Sequence, residues 1–311
     1  MTYSEIWHRI ATSYDDGEAR AIARILIEEL FGLSYTDIVC GATEQLSADD
    51  TLRLDTAVRR IEQGEPLQHV LGYADFCGNR FSVNGSVLIP RPETEWLVDE
   101  GAKLMDGCIA SDETQHKAPH SPKRILDIGT GSGCIAISLK LRLGDAYVEA
   151  WDISEEALRT AQDNADALKA EVVFRKRDAL RADNTAAPWD LIVSNPPYIC
   201  NSERSAMDDN VLLHEPHTAL FVPDDDPLRF YRAIARYALL TLNIGGSLLF
   251  ECNTRYAEAT GTMLRDMGFE EVTVSDDCFN LPRFVRGRKN SPAQQPLPIN
   301  SPSQPSPSGR A

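Results

Sequence analysis

The sequence predicts an α/β fold: a mostly parallel sheet with helices on both faces, a small all-helical unit in front of it, and a β-hairpin joining the two. Three observations predict it. From Arg124 onward, short apolar runs closed by turn residues alternate with helical patterns, which is how a parallel sheet is written in sequence. Before residue 72, apolar residues recur at helical spacing. Between these stretches, aromatic residues flank Gly78-Asn79, which reads as a hairpin turn. The 311 residues suit two domains, at about 150 residues each.

Taken in order, residues 1–72 are expected to be helices. Ile6 and Ile10, then Ala21, Ile25 and Leu26, then Leu52, Leu54, Val58 and Ile61 set the period, with breaks near Asp15-Asp16-Gly17, Gly41 and Gly64. Little here resembles an active centre. Trp7 and His8 read as packing or surface residues, and the unit is expected to dock a partner or cover a site. Residues 73–90 are the hairpin linker. In Pro90-Arg91-Pro92-Glu93-Thr94-Glu95, Pro92 suits a first helical turn, and Glu93 and Glu95 complement the helix dipole. That helix is expected to reach about Met105, before a polar loop at 111–122.

The catalytic-type unit spans 91–289. Its strands are expected at 125–128, 147–151, 172–174, 191–193 and 247–251, with helices at 134–143, 155–168, 228–242 and 257–267 and closing strands near 270–276 and 283–287. Residues 290–311 hold six prolines with Ser and Gln and almost no apolar mass, the composition of a disordered tail.

Composition narrows the function classes. The net charge of -16 repels phosphate backbones and disfavours bulk nucleic-acid binding. The seven Cys are scattered without a Cys-x-x-Cys pair, which argues for a reducing cytosol and against a zinc cluster. No apolar run reaches the roughly 18–20 residues of a membrane span, and MTYSEIWHRI lacks the layout of a secretory signal.

Three strand ends carry the chemistry. Gly129-Thr130-Gly131-Ser132-Gly133 lies between the first strand and its helix, where glycines let backbone approach a ligand. Its G-x-G-x-G spacing differs from the dinucleotide fingerprint and counts against NAD. Asp152-Ile153 ends the second strand, about 20 residues beyond the glycines, where an acidic residue reaches a ribose hydroxyl pair. Ser154 is left to cap the next helix. Asp178-Ala179 follows the third strand; Asp178 is placed to accept from an adenine amino group, or is a solvated loop carboxylate. Asn195-Pro196-Pro197-Tyr198 follows the fourth strand as a stiff turn, poor as packing material and well suited to a site.

These stretches resemble a family. DIGTGSG, Asp152 and NPPY, in this order on consecutive strand ends, are similar to class I S-adenosylmethionine-dependent methyltransferases, with a Rossmann-like, mostly parallel seven-stranded sheet. EPLQHVLGYADFCG, VLIPRPETEWLVD, SNPPYI, HEPHTALF and LRFYRAI narrow this to a resemblance, from Glu65 to Arg288, to the release factor glutamine methyltransferases (the HemK/PrmC family). Ala179 departs from the Trp the family often has there, so stacking on an adenine must come from elsewhere.

The resemblance implies S-adenosyl-L-methionine as cofactor, no metal, and as substrate the glutamine of the Gly-Gly-Gln loop in class-1 release factors. It further implies a cytoplasmic monomer acting on protein, with no direct nucleic-acid or membrane partner. Gly129, Thr130, Gly131, Ser132, Gly133, Asp152, Ile153, Asp178, Ala179 and Asn195 would hold the cofactor. Asn195, Pro196, Pro197 and Tyr198 would hold the substrate. Asn195 and the Pro196 carbonyl would accept the two amide hydrogens, and Tyr198 would pack on the amide. Alternatives are a ribosomal-protein glutamine or an adenine N6 acceptor. Arg91 and Glu93 either line the site or start a helix. His214-Glu215-Pro216-His217 reads as a wall near the substrate, Asp224-Asp225-Asp226 as a solvated loop, and Cys134 lacks a base partner.

Overall fold

Four of the first five helices begin at a side-chain cap. Thr2, Asp15, Ser34 and Ser47 accept backbone N–H groups at the starts of α1 (Tyr3–Ile10), α2 (Asp16–Phe31), α3 (Tyr35–Val39) and α4 (Ala48–Glu62), and α5 (Leu67–Leu71) follows Pro66. This computed structural model describes residues 1–110, 122–182 and 188–290; all but residue 122 of the polar loop expected at 111–122, and all but Asn290 of the tail expected at 290–311, lie outside them. Ile6, Ile10, Leu54, Val58 and Ile61 fill the helical core as expected. In α2 the buried stripe is Ala19, Ile22, Ala23, Leu26 and Ile27, while Ala21 is exposed and Ile25 half-buried. The spacing i, i+3, i+4, i+7, i+8 is the one that faces a core, and the expected set sat partly beside it. Leu52 is also exposed, at 64%.

The hairpin pairs β1 (Tyr73–Phe76) with β2 (Asn79–Ser82). Its turn is Cys77-Gly78, not the expected Gly78-Asn79, because Asn79 already pairs with Phe76. Cys77 and Gly78 both have positive φ, 47° and 73°, the mirror-image turn whose twist matches the strands. Phe76 and Phe81 enter the core of the following domain. Three polar contacts fasten the hairpin on both sides: Glu95 Oε1 accepts Cys77 N–H at 2.7 Å, Asn164 Oδ1 accepts Ser82 N–H at 2.7 Å, and Arg80 pairs with Glu29 of α2 at 3.0 Å.

Beyond the linker come a 3₁₀ turn, Pro92–Thr94, and α6 (Glu95–Ala110), then β3 (Arg124–Ile128), α7 (Cys134–Leu143), β4 (Tyr147–Asp152), α8 (Glu155–Leu168), β5 (Val172–Lys176) and β6 (Trp189–Ser194). Short pieces β7 (Ile199–Cys200), α9 (Asp209–His214), α10 (His217–Leu220) and β8 (Phe221–Val222) precede α11 (Arg229–Thr241), β9 (Leu242–Glu251), α12 (Ala257–Asp266), β10 (Phe269–Asp276) and β11 (Pro282–Lys289).

The main sheet has seven strands in the order β10-β11-β9-β6-β3-β4-β5, parallel except that β11 runs antiparallel to both neighbours. Strand residues alternate between two cores. Ile125, Leu191 and Leu249 face the helices α6 and α7, and Leu126, Ile192 and Leu248 face α11 and α12. Burial on both faces explains why the strands read as continuous apolar runs. Strand order reverses at β3, which has β4 on one side and β6 on the other. The carboxyl ends of these three strands therefore open a crevice, the usual ligand position in such sheets.

Candidate active site

A cavity of about 350 Å³ lies over those strand ends. Of the glycine loop, Gly129 and Gly131 line it; Thr130, Ser132 and Gly133 are buried behind it. The loop is pinned from below, since Gly129 and Thr130 N–H both donate to Trp151 O at 2.9 Å. Thr130 Oγ1 donates to the buried Asp127 Oδ2 at 2.6 Å. Burial pushes the Asp127 carboxyl up to about 7. Gly131 has φ +54 and no atom within 4 Å of where a Cβ would sit. Asn164 braces the loop from α8, donating to Ser132 O at 2.9 Å and to Ser82 O at 3.1 Å.

Asp152 lines the cavity, and each of its oxygens holds one backbone amide: Oδ2 that of Gly131 and Oδ1 that of Ser154, both at 2.9 Å. Burial raises its pKa, and these hydrogen bonds oppose the rise. Ser154 caps α8. Ile153, Asp178 and Ala179 also line the cavity; Asp178 Oδ1 accepts Leu180 N–H at 2.8 Å.

Asn195, Pro196 and Pro197 form the wall at the end of β6. Below them Ser194 Oγ ties β6 to β3 through Ile128 O at 2.6 Å. Tyr198 is not among the residues lining the cavity and packs against the apolar core on the α11 side. Its hydroxyl donates to Glu251 Oε1 at 3.3 Å. Burial, then the Glu251 carboxylate, raise the Tyr198 pKa. Glu251 Oε2 also accepts Thr94 Oγ1–H at 2.7 Å, and Thr94 Oγ1 faces Asn195 Nδ2 at 3.4 Å. Burial raises the Glu251 pKa.

Pro216, from the segment expected as a wall, lines the cavity. Several other lining residues were not singled out from the sequence: Ser86, Val87 and Leu88 of the linker reach the cavity, as do Thr218 and Ala219, and Phe221, Phe230 and Ile234. Arg91 and Glu215 explain how the linker and the His214–His217 segment come together. Glu215, 4% exposed, is paired with Arg91 and accepts Ile89 N–H at 3.1 Å. Arg91 is thus a strut, and neither it nor Glu93 lines the cavity. Asp224 clamps Ser202 N–H and Oγ–H at 2.9 and 2.7 Å, and Asp226 pairs with Arg232 at 3.0 Å. Burial pushes the Cys134 thiol up to about 12, leaving it inert as a nucleophile. Among the described residues no group of three His, Cys, Asp or Glu could hold a metal ion, and no helix is long and apolar enough to cross a membrane.

Comparison with known proteins agrees with this geometry. Residues 8–72 match the model of the PrmC N-terminal domain and residues 96–220 that of the methyltransferase small domain. The release factor glutamine methyltransferase of Bacteroides thetaiotaomicron is 43% identical over 277 residues, 89% of this chain and 95% of that protein. The protein of the same name from Flavobacterium psychrophilum is 36% identical over 281 residues, 89% and 94% of the two chains. Among solved structures, the hMettl16 catalytic domain shares the fold, with TM-score 0.52 and 17% identity over 80% of this chain and 85% of that one.

Proposed function

This chain belongs to the release factor glutamine methyltransferase family, and on that premise we propose which residues carry its methyl transfer and where its partners bind. The enzyme methylates the side-chain amide nitrogen of a release-factor glutamine, in this reading that of the Gly-Gly-Gln motif of class-1 factors. The observation that carries the assignment is a single cavity with Asn195-Pro196-Pro197 on one wall and Gly129, Gly131 and Asp152 on another.

The residues fit S-adenosylmethionine. A carboxylate has about four lone-pair sites; Asp152 uses one on each oxygen and keeps the others for a ribose hydroxyl pair. Ile153, Leu180, Phe230 and Ile234 supply the apolar surface for a base that Ala179 lacks. Asp178 stands at the adenine end. When bound, S-adenosylmethionine supplies a methyl group activated by a sulfonium.

The protein's part is orientation. An amide nitrogen is a weak nucleophile because its lone pair is delocalised. Asn195 Oδ1 and the Pro196 carbonyl accept its two hydrogens and hold its lone pair toward the methyl group. Prolines 196 and 197 fix the backbone that aims those acceptors. Such positioning of two reactants is worth roughly 7–11 kcal/mol of barrier. The methylated nitrogen then sheds a proton to water, so no general base is required.

Residues 1–72 are the docking domain for the release factor, 73–90 the linker and 91–289 the catalytic domain. The enzyme works as a cytoplasmic monomer on a protein substrate, and its charge of -16 supports a partner other than nucleic acid. The test is incubation with labelled S-adenosylmethionine and, separately, a release factor, a ribosomal protein and DNA, with label mapped by mass spectrometry. Label on the release-factor glutamine, lost in Asn195→Ala while cofactor binding survives, is expected. Label only on the ribosomal protein or the adenine, or an active Asn195→Ala, overturns the reading.

A further inference from the structure

A side-chain amide can turn over, exchanging its acceptor for its donor, and an inverted Asn195 would present N–H groups to an acceptor amide that itself needs acceptors. Something must hold the amide the right way round. Thr94 and Glu251, which lie far apart in sequence, meet directly behind it. Both are buried, at 3% and 2% exposure. Glu251 Oε2 takes the Thr94 hydroxyl proton at 2.7 Å, and Glu251 Oε1 takes the Tyr198 hydroxyl proton at 3.3 Å.

A hydroxyl has one proton to give. With that proton on Glu251, the Thr94 oxygen can only accept. The Asn195 atom facing it at 3.4 Å must therefore be Nδ2–H, as found. Turning the amide over would set Oδ1 against the lone pairs of Thr94 Oγ1, acceptor against acceptor, in a buried site where an unmade hydrogen bond is expensive. The 3.4 Å separation is long, as hydrogen bonds in active sites without substrate commonly are.

We propose that Thr94 and Glu251 are positioning residues for the transfer: a relay from Glu251 through Thr94 fixes which way the Asn195 amide faces and so keeps Oδ1 toward the acceptor nitrogen. This rests on the role given to Asn195 above. It assigns Tyr198 a part as well, as the second donor that holds the Glu251 carboxylate in place.

Thr94→Val removes the hydroxyl at nearly constant shape, and Thr94→Ser restores it. With a release factor as substrate, Thr94→Val is expected to lower kcat roughly 10- to 100-fold, while KM and the Kd for S-adenosylmethionine stay parental. Thr94→Ser is expected to recover kcat, and Glu251→Gln to resemble Thr94→Val, since a neutral amide no longer dictates where the Thr94 proton goes. A parental kcat in Thr94→Val, or an equal loss in Thr94→Val and Thr94→Ser, overturns the proposal. A second readout needs no substrate: the Asn195 side-chain amide signal in NMR, identified by its absence in Asn195→Ala. It is expected to shift in Thr94→Val and not in Thr94→Ser. An unmoved signal in Thr94→Val overturns the relay. If the parental enzyme leaves the release factor unmodified, the functional reading fails, and the NMR result still decides the relay.

Discussion

Asp152 Oδ2 accepts the backbone N–H of Gly131 at 2.9 Å, so the carboxylate at the end of β4 and the glycine loop after β3 form one hydrogen-bonded unit. An aspartate expected only to meet a ribose also holds the glycine loop proposed to line the cofactor site. Asp152→Ala therefore removes the proposed ribose contact and a loop support together. Hydrogen bonds to charged groups are worth about 1.5–3 kcal/mol, so affinity for S-adenosylmethionine is expected to fall by roughly 10- to 100-fold in calorimetry. Unchanged affinity would remove Asp152 from the cofactor site.

Asp127 gives the fold a pH dependence. Its folded pKa lies near 7, chiefly through burial, against about 3.9 in an unfolded chain. A carboxyl with a raised folded pKa contributes stability that is full below the unfolded value and lost as pH rises through the folded one. The window is therefore about pH 4 to 7, with stability falling upward through it. Asp127→Asn keeps an acceptor for Thr130 and removes the charge. It is expected to unfold at higher urea than the parent at pH 8, to lose most of that advantage by pH 5, and to lose the rest only below about pH 4. An equal difference at both pH values would show that Asp127 does not titrate in this range.

The Arg91–Glu215 pair joins two segments 124 residues apart, behind the cavity-lining Leu88 and Pro216. Removing Arg91 leaves a buried carboxylate with only the Ile89 N–H. A fully buried pair broken this way costs about 3–5 kcal/mol; the half-exposed Arg91 lowers the expectation to roughly 1–3 kcal/mol. Arg91→Ala should show this in denaturant unfolding, together with weaker cofactor binding because Leu88 and Pro216 lose their brace. Stability equal to the parent would mean that the pair is solvated and the brace lies elsewhere.

What the sequence disclosed follows from where its signals are local. All seven strands of the main sheet were legible; the central ones, β3, β4 and β6, are buried on both faces and read as bounded apolar runs, and the site loops follow from their ends. The Cys77-Gly78 turn was not, since a non-glycine residue at φ 47° carries no mark in sequence. Nor was the role of Thr94, which depends on Glu251 at the far end of β9. Leu88 and Phe230 reach the cavity only through tertiary packing. Tyr198 was expected to pack its ring on the substrate amide; that its hydroxyl bonds Glu251 carried no signal in the sequence. Contacts of this kind have no period and no spacing to read.

Two glycines of one loop separate packing from binding. Gly133 has φ +82, and a Cβ there would lie 2.9 Å from Ile137 Cδ1 and 3.1 Å from Ala161 Cβ. The Ile137 end can move, but Ala161 belongs to the neighbouring helix α8, so α7 and α8 must part. Gly133→Ala adds a left-handed strain of about 1–2 kcal/mol to an overpacking cost of about 1–3 kcal/mol. Gly131→Ala carries the same kind of strain at φ +54 with no atom within 4 Å of the new methyl group. Thermal unfolding should therefore rank Gly133→Ala well below Gly131→Ala. Cofactor affinity should fall in Gly131→Ala, whose methyl group would stand at the edge of the cavity. The opposite ranking in the melts would mean that the loop, and not the helix pair behind it, limits the stability of this end of the sheet.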